Sequence, residues 1–535
     1  MVRVCELKQL GGCMKKVALI ILLVLSFSFS HAQTLVYGQS GLPVTLDTGQ
    51  DGNSLTVGLQ MLEPLVAFET GGAEITEGLA MNWEANEDST QWTFTLREDV
   101  TFHDGTPFDA EAVKFNFDRW NNQDNEFAFS EEGKEFTAWT YIFANYYGED
   151  GYLLESVEVV DPITVTFNLT SPVGFFPAMV ASSYFGMHSP TAVMEGGLEY
   201  GTPSVGVVGT GPFQFVEWTT GDRVTVDRYE DYWGEPAGVE SIIFRGIEET
   251  ATRLAELEAG TLDIAVNLAP ENIEAVEGND ELATAVVDGA NLSLGYIGIH
   301  QGNPPFDIPE VRQAVAHAID YEAIVDAFYG ELGTTAGEFI PPGLIGRAEL
   351  DAYEYDPELA RELLAEAGFP DGFDTEFWYM PVSRPYFPIP LDIAEAVASQ
   401  LSEVGINAEL KTEEWGVYLD DRAQGRFPMY MLGWNADYAD PNNFVFTFFG
   451  PDNIESAFGW NSPETIELLE QARAASSEEE RQGFYEEVSN SIYDAVPAIP
   501  VVYPRTLNAV RSGVEGFAPN PLGTTIPLSP VTKTE

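Results

Sequence analysis

The stretch LDIAEAVASQLSEVGINAELK, residues 391–411, joins an amphipathic helix to the strand that follows it. Its apolar residues recur at spacings of four, four and three, on one face of a helix: Ile393, Val397, Leu401 and Val404. Gly405 is the expected end of the helix, because glycine readily takes the backbone conformation that closes the last turn. INAELK then predicts a short strand.

Two apolar runs flank this stretch, TEFWYMPV at 375–382 and FPMYMLGW at 427–434, and both predict buried strands. The order strand, helix, strand favours a mostly parallel sheet, since parallel neighbours need a crossover between them. In such sheets the loops at the carboxyl ends of the strands form the ligand crevice. Two opposite charges, Arg384 and Asp437, follow these strands directly, so both can face one cavity.

Aromatic residues near the two charges are typical of the wall of a small-molecule pocket: Tyr386, Phe387, Trp415, Trp434 and Tyr438. A cation and an anion held apart there each need a partner, because an unpaired buried charge costs several kcal/mol. A zwitterionic ligand supplies both partners, and an extended dipeptide spans roughly 7 Å. The fork of Arg384 suits a carboxylate, and Asp437 suits an ammonium.

Other interpretations of these charges remain open. Arg384 and Asp437 can form a salt bridge with each other or with neighbours, with the aromatic residues as core. Asp440 precedes a proline and is interpreted as a turn cap. A calcium loop of Asp437, Asp440 and Asn442 lacks the glycine and the final glutamate of a helix-loop-helix site, and is disfavoured.

The charge balance excludes several classes of partner. The 535 residues contain 24 Lys and Arg against 86 Asp and Glu, a net charge of −62 spread along the chain. Such a surface repels nucleic acid and anionic lipid. It suits a soluble protein, and either adaptation to high salt or selection for solubility explains it. The length predicts two or three lobes.

The first residues predict export. Residues 14–32, MKKVALIILLVLSFSFSHA, combine two lysines, an apolar core and a small-residue cleavage site at Ser30 and Ala32. We expect cleavage before Gln33, with residues 1–13 as upstream read-through. Both cysteines precede this site, so the mature chain has neither a disulfide, a thiol nucleophile nor a lipid-attachment cysteine. The mature protein is therefore expected in the periplasm, not anchored to a membrane.

The remaining chain divides by pattern. Period-two strands and a hairpin dominate residues 62–198, which we call the strand-rich block. Strands and helices alternate from about 210 onward and again from 291, as in α/β lobes. No internal repeat or flexible linker separates these parts, so the lobes are expected to be built from interleaved segments.

Several stretches carry a family resemblance that covers nearly all of the mature chain. They include VVGTGPFQFVEWTTGDRVTVDRYEDYWG and PPFDIPEVRQAVAHAIDYEAIVDAFYG. The chain resembles the extracytoplasmic solute-binding proteins, family 5, of ABC importers for peptides and nickel. Within that family, MPVSRPYFPIP, EEWGVYL and GWNADYADPNNF are similar to the dipeptide-binding members.

The resemblance implies a fold and a domain plan. The fold is α/β, periplasmic binding protein type II-like, with two hinged lobes and an additional strand-rich subdomain. Lobe I comprises residues 33–61, 199–290 and 503–535, and lobe II comprises 291–502. The chain is expected to cross between the lobes near 288–297 and 499–508, and the lobes to close on the ligand.

The resemblance also implies residue roles and partners. Asp437 holds the amino terminus of a peptide and Arg384 its carboxylate, while Tyr386, Trp415 and Trp434 line the pocket. No cofactor or metal is expected. The partners are a peptide ligand and an ABC permease and ATPase complex at the inner membrane, and the protein is expected to be a monomer.

Some features keep other ligands open. After Arg384 the chain reads PYFPIP, where dipeptide binders tend to be polar, so a longer or more apolar ligand is an alternative. Haem, oligosaccharides and metal chelates are bound in the same family. Nickel is disfavoured because only four histidines follow the signal peptide: His103, His188, His300 and His317.

Two other functional classes remain as alternatives. An exported peptidase is disfavoured, because the sequence contains neither a His-Glu-x-x-His nor a Gly-x-Ser-x-Gly motif. A receptor that presents a bound peptide to a sensor has the same sequence features as an importer component.

Overall fold

The computed structural model describes residues 33–451, 453–523 and 525–534. The predicted signal peptide and read-through, residues 1–32, lie outside the described residues. The chain forms two large mixed sheets, a smaller antiparallel sheet and helices packed against them, which confirms the α/β prediction.

The first large sheet has seven strands, and all of them come from the three segments assigned to lobe I. In spatial order they are Leu282–Ala285, Leu507–Arg511, Ile264–Leu268, Thr34–Gln39, Ser241–Gly246, Arg223–Arg228 and Phe213–Thr219. Only the central strand Thr34–Gln39 pairs in parallel, with its neighbours on both sides.

The second large sheet has six strands, within the region assigned to lobe II and just past its end. In spatial order they are Gly333–Thr335, Ala498–Pro504, Ser293–Ile299, Met429–Asn435, Phe373–Trp378 and Ile406–Lys411. Phe373–Trp378 runs parallel to both of its neighbours, as the strand-helix-strand order predicts. The expectation of a mostly parallel sheet is wrong for the rest, because Ser293–Ile299 is antiparallel to both of its partners.

The strand-rich block contains a four-stranded antiparallel sheet, in the order Ala80–Ala85, Gln91–Leu96, Thr164–Leu169 and Leu154–Asp161. Asp109 caps the helix Ala110–Asn121 by accepting a hydrogen bond of 3.0 Å from the backbone N–H of Ala112. Phe94 and Phe117 from these elements meet the buried ring of Phe167. Two small hairpins complete the strands: Val66–Phe68 with Ile75–Glu77, and Val514–Glu515 with Thr532–Lys533.

Helices cover the sheets and connect their strands. Their bounds are Leu55–Gly58, Ala110–Asn121, Thr137–Phe143, Phe176–Val180, Pro190–Gly196, Thr250–Glu258, Ile273–Glu277, Pro309–His317, Tyr321–Phe328, Pro357–Glu366, Pro390–Glu403, Trp415–Ala423, Asn442–Phe449, Ile454–Phe458, Pro463–Ala474 and Glu478–Ala495. The helix predicted from apolar spacing is Pro390–Glu403, and its expected face is buried. Within the described residues, no helix has the length and apolar character needed to span a bilayer.

The chain passes between the two large sheets at two short segments. Residues 286–292 connect Leu282–Ala285 to Ser293–Ile299, and residues 505–506 connect Ala498–Pro504 to Leu507–Arg511. Buried Asn291 joins these crossings, because its Oδ1 accepts from the backbone N–H of Thr506 (3.3 Å) and its Nδ2 donates to Thr506 Oγ1 (3.4 Å).

A buried polar network fixes the strand-rich block to the seven-stranded lobe. The Arg119 guanidinium of the block donates to Asp47, and His188 Nε2 lies 3.3 Å from Asp47 Oδ1. Burial lowers the pKa of His188 to about 3, although the Asp47 carboxylate opposes this, so the imidazole is neutral at pH 7. The opposite charges of Arg119 and Asp47 therefore compensate each other inside the protein.

The strand-rich block also contacts the six-stranded lobe. The ring of Phe175 stacks on Tyr438, with 6.0 Å between centroids and 9° between planes. The backbone N–H of the preceding residue, Gly174, donates to the carbonyl of Arg473 at 3.1 Å. One continuous apolar core includes buried residues from both parts, so this contact excludes water.

Candidate functional site

Asp437 lies two residues beyond the strand Met429–Asn435 and is half-buried. Its backbone N–H donates to Asn443 Oδ1 at 2.8 Å, and Asn443 Nδ2 donates to Asp437 Oδ2 at 3.4 Å. Burial raises the pKa of Asp437 to about 7, and the hydrogen bond from Asn443 opposes this rise. Among the described residues no cation forms a salt bridge with Asp437, so its charge is poorly compensated.

Asp440, three residues later, has a structural role. Its Oδ1 accepts from the backbone N–H of Asn442 at 2.9 Å, which confirms the turn-cap interpretation. Its Oδ2 accepts from Arg481 Nη2 at 2.5 Å, and both side chains are buried. Burial lowers the pKa of Arg481, but the Asp440 carboxylate more than offsets this, so the net pKa is raised. Asp440 is thus fully engaged within the protein.

Arg384 lies on a tight turn after the strand Phe373–Trp378. Two backbone hydrogen bonds with Phe387 close this turn, at 3.1 and 2.9 Å. The Arg384 side chain is exposed, and its Cζ lies 5.5 Å from the centre of the Trp415 ring. The proposed salt bridge between Arg384 and Asp437 is absent, and within the described part of the chain Arg384 forms no other salt bridge.

The predicted aromatic wall divides into exposed and buried members. Trp415 and Trp434 are half-buried and therefore reach solvent. Tyr386 is only 6% exposed, and its ring fills the space left by Gly433, where a Cβ atom would lie 2.3 Å from the ring. Burial raises the pKa of Tyr386 to about 12, although nearby Arg384 lowers it.

The wall prediction is wrong for Phe387 and Tyr438. Phe387 is completely buried and its ring packs beneath Gly295. Tyr438 is 1% exposed and packs on Phe175, as described above. The apolar side chain of Phe387 is therefore part of the hydrophobic core and does not line the crevice.

Sequence reasoning missed two residues beside Asp437. Asn443 is fully buried, and its Oδ1 also accepts from Trp434 Nε1 at 3.0 Å. Tyr184 belongs to the strand-rich block, and its pKa is raised first by burial and then by the negative charge of Asp437. Tyr184 thus approaches Asp437 from the strand-rich block, and no local sequence signal links two residues so far apart in the chain.

The described residues contain no group of three or more His, Cys, Asp or Glu side chains arranged to hold a metal ion. The calcium-loop alternative is not supported, because Asp440 is bound to Arg481 and to the turn backbone.

Comparisons with known proteins identify a family. The model for bacterial extracellular solute-binding proteins, family 5 Middle, matches residues 74–456. The dipeptide-binding protein of Escherichia coli (strain K12) is 30% identical over 538 residues, covering 97% of this chain and 98% of the relative. Heme-binding protein A of Haemophilus influenzae is 31% identical over 476 residues, covering 87% and 85% respectively.

A solved structure shows the same fold. The dipeptide-binding protein from Pseudoalteromonas sp. SM9913, in complex with Met-Leu, has a TM-score of 0.79 and 27% sequence identity, covering 94% of this chain and 100% of that chain. The members of such a family bind solutes and are not enzymes. Since the family model matches most of the chain and the relatives align along nearly all of it, the protein belongs to family 5 of the bacterial extracellular solute-binding proteins.

Proposed function

We propose that the protein is the solute-binding component of an ABC importer and captures di- or oligopeptides by their charged ends. The observation that carries this proposal is the separation of Arg384 and Asp437, which have opposite charges and form no salt bridge in the described structure. The Arg384 guanidinium is exposed beside the Trp415 ring and is therefore available to bind a ligand carboxylate.

Asp437 suits the ammonium end of the ligand. Its carboxylate is half-buried, and burial already raises its pKa to about 7, so ionisation without a counter-charge is costly. A bound ammonium compensates the charge and donates the hydrogen bonds that the carboxylate lacks. Trp434, beside Asp437, provides an apolar surface for the first residue of the peptide.

Arg384 suits the carboxylate end. Its guanidinium is exposed and lies beside Trp415, which restricts its orientation without neutralising it. A planar fork in this position can bind both oxygens of a carboxylate. Tyr386 supports the turn that carries Arg384, because its backbone carbonyl accepts a hydrogen bond of 2.6 Å from Tyr329.

The comparisons support a peptide ligand. Relatives named for dipeptides and for di- and tripeptides are 29–30% identical over more than nine-tenths of this chain. A haem-binding relative at 31% identity makes haem the second candidate. Haem carries carboxylates but no ammonium, so it offers no counter-charge to Asp437, and the site chemistry favours peptides.

The capture step in this proposal is a closure of two lobes. Residues 33–61, 199–290 and 503–535 form lobe I, residues 291–502 form lobe II, and residues 62–198 move with lobe I through the Asp47 network. A ligand drives closure only if it binds the closed state more tightly. The closed form then docks on a permease that an ATPase energises.

Export precedes this function. Relatives in an extracellular family support an exported protein, and we infer that residues 14–32 are its signal peptide. The mature chain from Gln33 then acts as a monomer in the periplasm.

Calorimetric titration of the chain from Gln33 onward, with di-, tri- and pentapeptides and with haem, tests the proposal. We expect peptide binding that is lost when the peptide is N-acetylated or C-amidated, and in Asp437→Ala or Arg384→Ala. Asp374→Ala, at the opposite end of the strand Phe373–Trp378 from Arg384, and Arg361→Ala, whose guanidinium donates to the Glu403 carbonyl, are matched controls away from the site and should bind normally. Haem binding without peptide binding would overturn the proposal.

A further inference from the structure

We propose that Asn443 is a positioning residue that orients Asp437 and Trp434 together as one recognition unit for the ligand. This inference rests on the proposed role of Asp437 in holding an ammonium group. Asn443 does not need to touch the ligand, because it acts through the two side chains that it holds.

The geometry brings three polar contacts to one amide group. Asn443 Oδ1 accepts from Trp434 Nε1 at 3.0 Å and from the backbone N–H of Asp437 at 2.8 Å. Asn443 Nδ2 donates to Asp437 Oδ2 at 3.4 Å. The side chain is completely buried at the start of the helix Asn442–Phe449, so the helix fixes its position.

The contacts require the chemistry of an amide. Two N–H donors converge on one side of Asn443 and a carboxylate lies on the other, so the position needs an acceptor and a donor in the same planar group. Aspartate would supply a second negative charge beside Asp437 and no donor. Leucine would leave the indole N–H and the backbone N–H of Asp437 without an acceptor, which is costly when they are buried.

The arrangement leaves one oxygen of Asp437 for a ligand. Its Oδ2 is engaged by Asn443, while its Oδ1 accepts no hydrogen bond from the described residues. The ionisable groups that face Asp437 are Tyr184 from the strand-rich block and Tyr438 from its own loop. For both tyrosines burial and Asp437 raise the pKa, so they are neutral and cannot replace Asn443 as a charged partner.

The pH profile of binding separates positioning from simple support of the fold. The donor from Asn443 favours the ionised carboxylate, so its removal raises the pKa of Asp437. We expect the pH midpoint of Ala-Ala binding to move upward by about 0.5 to 1 unit in Asn443→Ala, the size of a lost hydrogen bond. Affinity should therefore fall several-fold more at pH 6 than at pH 7.5.

Asn442→Ala is the matched control. Asn442 is an adjacent buried amide on the same helix, but its Nδ2 donates to Tyr438 Oη at 2.9 Å and does not reach Asp437. The pH midpoint of Ala-Ala binding in Asn442→Ala should equal that of the wild type. If Asn443→Ala does not fold, Asn443→Ser is the second variant. Its hydroxyl is one bond shorter than the amide nitrogen, which already lies 3.4 Å from Asp437 Oδ2, so it does not reach the carboxylate and the same upward shift is expected.

The outcomes also separate this inference from the proposed function. If Asp437→Asn binds Ala-Ala as the wild type does, the proposed role of Asp437 fails and this inference fails with it. If Asp437→Asn abolishes binding while the Asn443 variants keep the wild-type midpoint, only the role of Asn443 is overturned. An equal loss of affinity at every pH also overturns it, because a structural defect has that signature.

Discussion

Asp437 and Asp440 are three residues apart in one loop, yet only Asp440 has a cationic partner. Asp440 binds Arg481 at 2.5 Å and caps the turn that follows, whereas Asp437 receives hydrogen bonding from the neutral amide of Asn443. The Asp440 carboxylate therefore stabilises the loop, whereas the Asp437 carboxylate is held in a half-buried position that costs folding free energy. This difference leads to opposite expectations for the two residues.

Asp437→Asn is expected to stabilise the ligand-free protein at pH 8. The pKa of Asp437 rises from 3.8 to about 7 on folding, so the favourable contribution of its protonated form is present below about pH 4 and lost by pH 7. Asparagine avoids the cost of ionising a half-buried carboxylate. After allowance for solvent access, we expect the free energy of unfolding to increase by about 1–3 kcal/mol at pH 8. Urea denaturation at pH 8 and pH 4 measures it, and a gain of equal size at both values would contradict this explanation.

Asp440→Asn is expected to destabilise the protein strongly. The substitution leaves buried Arg481 without its counter-charge, and breaking such a pair costs about 3–5 kcal/mol. Thermal unfolding at pH 7 measures the loss. An effect below about 1 kcal/mol, typical of exposed pairs, would show that water compensates Arg481.

Peptide affinity is expected to fall on acidification from pH 7. Asp437 must be ionised to hold an ammonium, so below its pKa of about 7 affinity should drop about tenfold per pH unit. Titration with Ala-Ala between pH 5.5 and 7.5 gives the profile, and Asp437→Asn should bind weakly without this dependence. A flat wild-type profile would mean that Asp437 does not contact the ligand's charge.

Arg384 is expected to recognise only the ligand carboxylate. Arg384→Ala should weaken dipeptide binding by about 1.5–3 kcal/mol, the range for a hydrogen bond to a charged group. C-amidation of the peptide should cause a similar loss in the wild type and no further loss in Arg384→Ala. Additive losses in this double-mutant cycle would contradict the contact.

Phe175→Ala is expected to favour the open arrangement of the lobes. Phe175 packs on Tyr438, next to Asp437, and Arg481 Cζ lies 4.9 Å from its ring. Loss of this contact should lower peptide affinity about tenfold and increase the radius of gyration measured by X-ray scattering. Phe102→Ala is the control, because its ring packs on Phe108 within the same block; an equal effect there would indicate general destabilisation.

Local sequence patterns predicted the elements that depend on local chemistry. The helix Pro390–Glu403 follows from apolar spacing, and Asp356 caps the helix Pro357–Glu366 by local chemistry of the same kind, accepting hydrogen bonds of 3.0 and 2.9 Å. The parallel part of the six-stranded sheet follows from its crossover. Its antiparallel part was not predicted, because Ser293–Ile299 enters from the seven-stranded sheet and Ala498–Pro504 leaves towards it, at distant points of the chain.

The places of the candidate site residues in the fold were predictable from the sequence, but the orientations of their side chains were not. The positions of Arg384 and Asp437 at strand ends follow from sequence, and so does their aromatic surrounding. Which aromatic side chains turn inward depends on the turn at Arg384 and on packing under Gly295 and Gly433, so Phe387 was misassigned. Asn443 was missed because its contacts exist only once the helix Asn442–Phe449 folds against the strand.

The paired crossings limit the kind of motion that the molecule can use. The two short linkers are held side by side by the hydrogen bonds between Asn291 and Thr506, so together they form one hinge. In the proposed closure, these linkers permit bending about the line that joins them and resist twisting and sliding of one sheet against the other. Peptides of different length would then share one bending motion, and each would stop the lobes at a different angle.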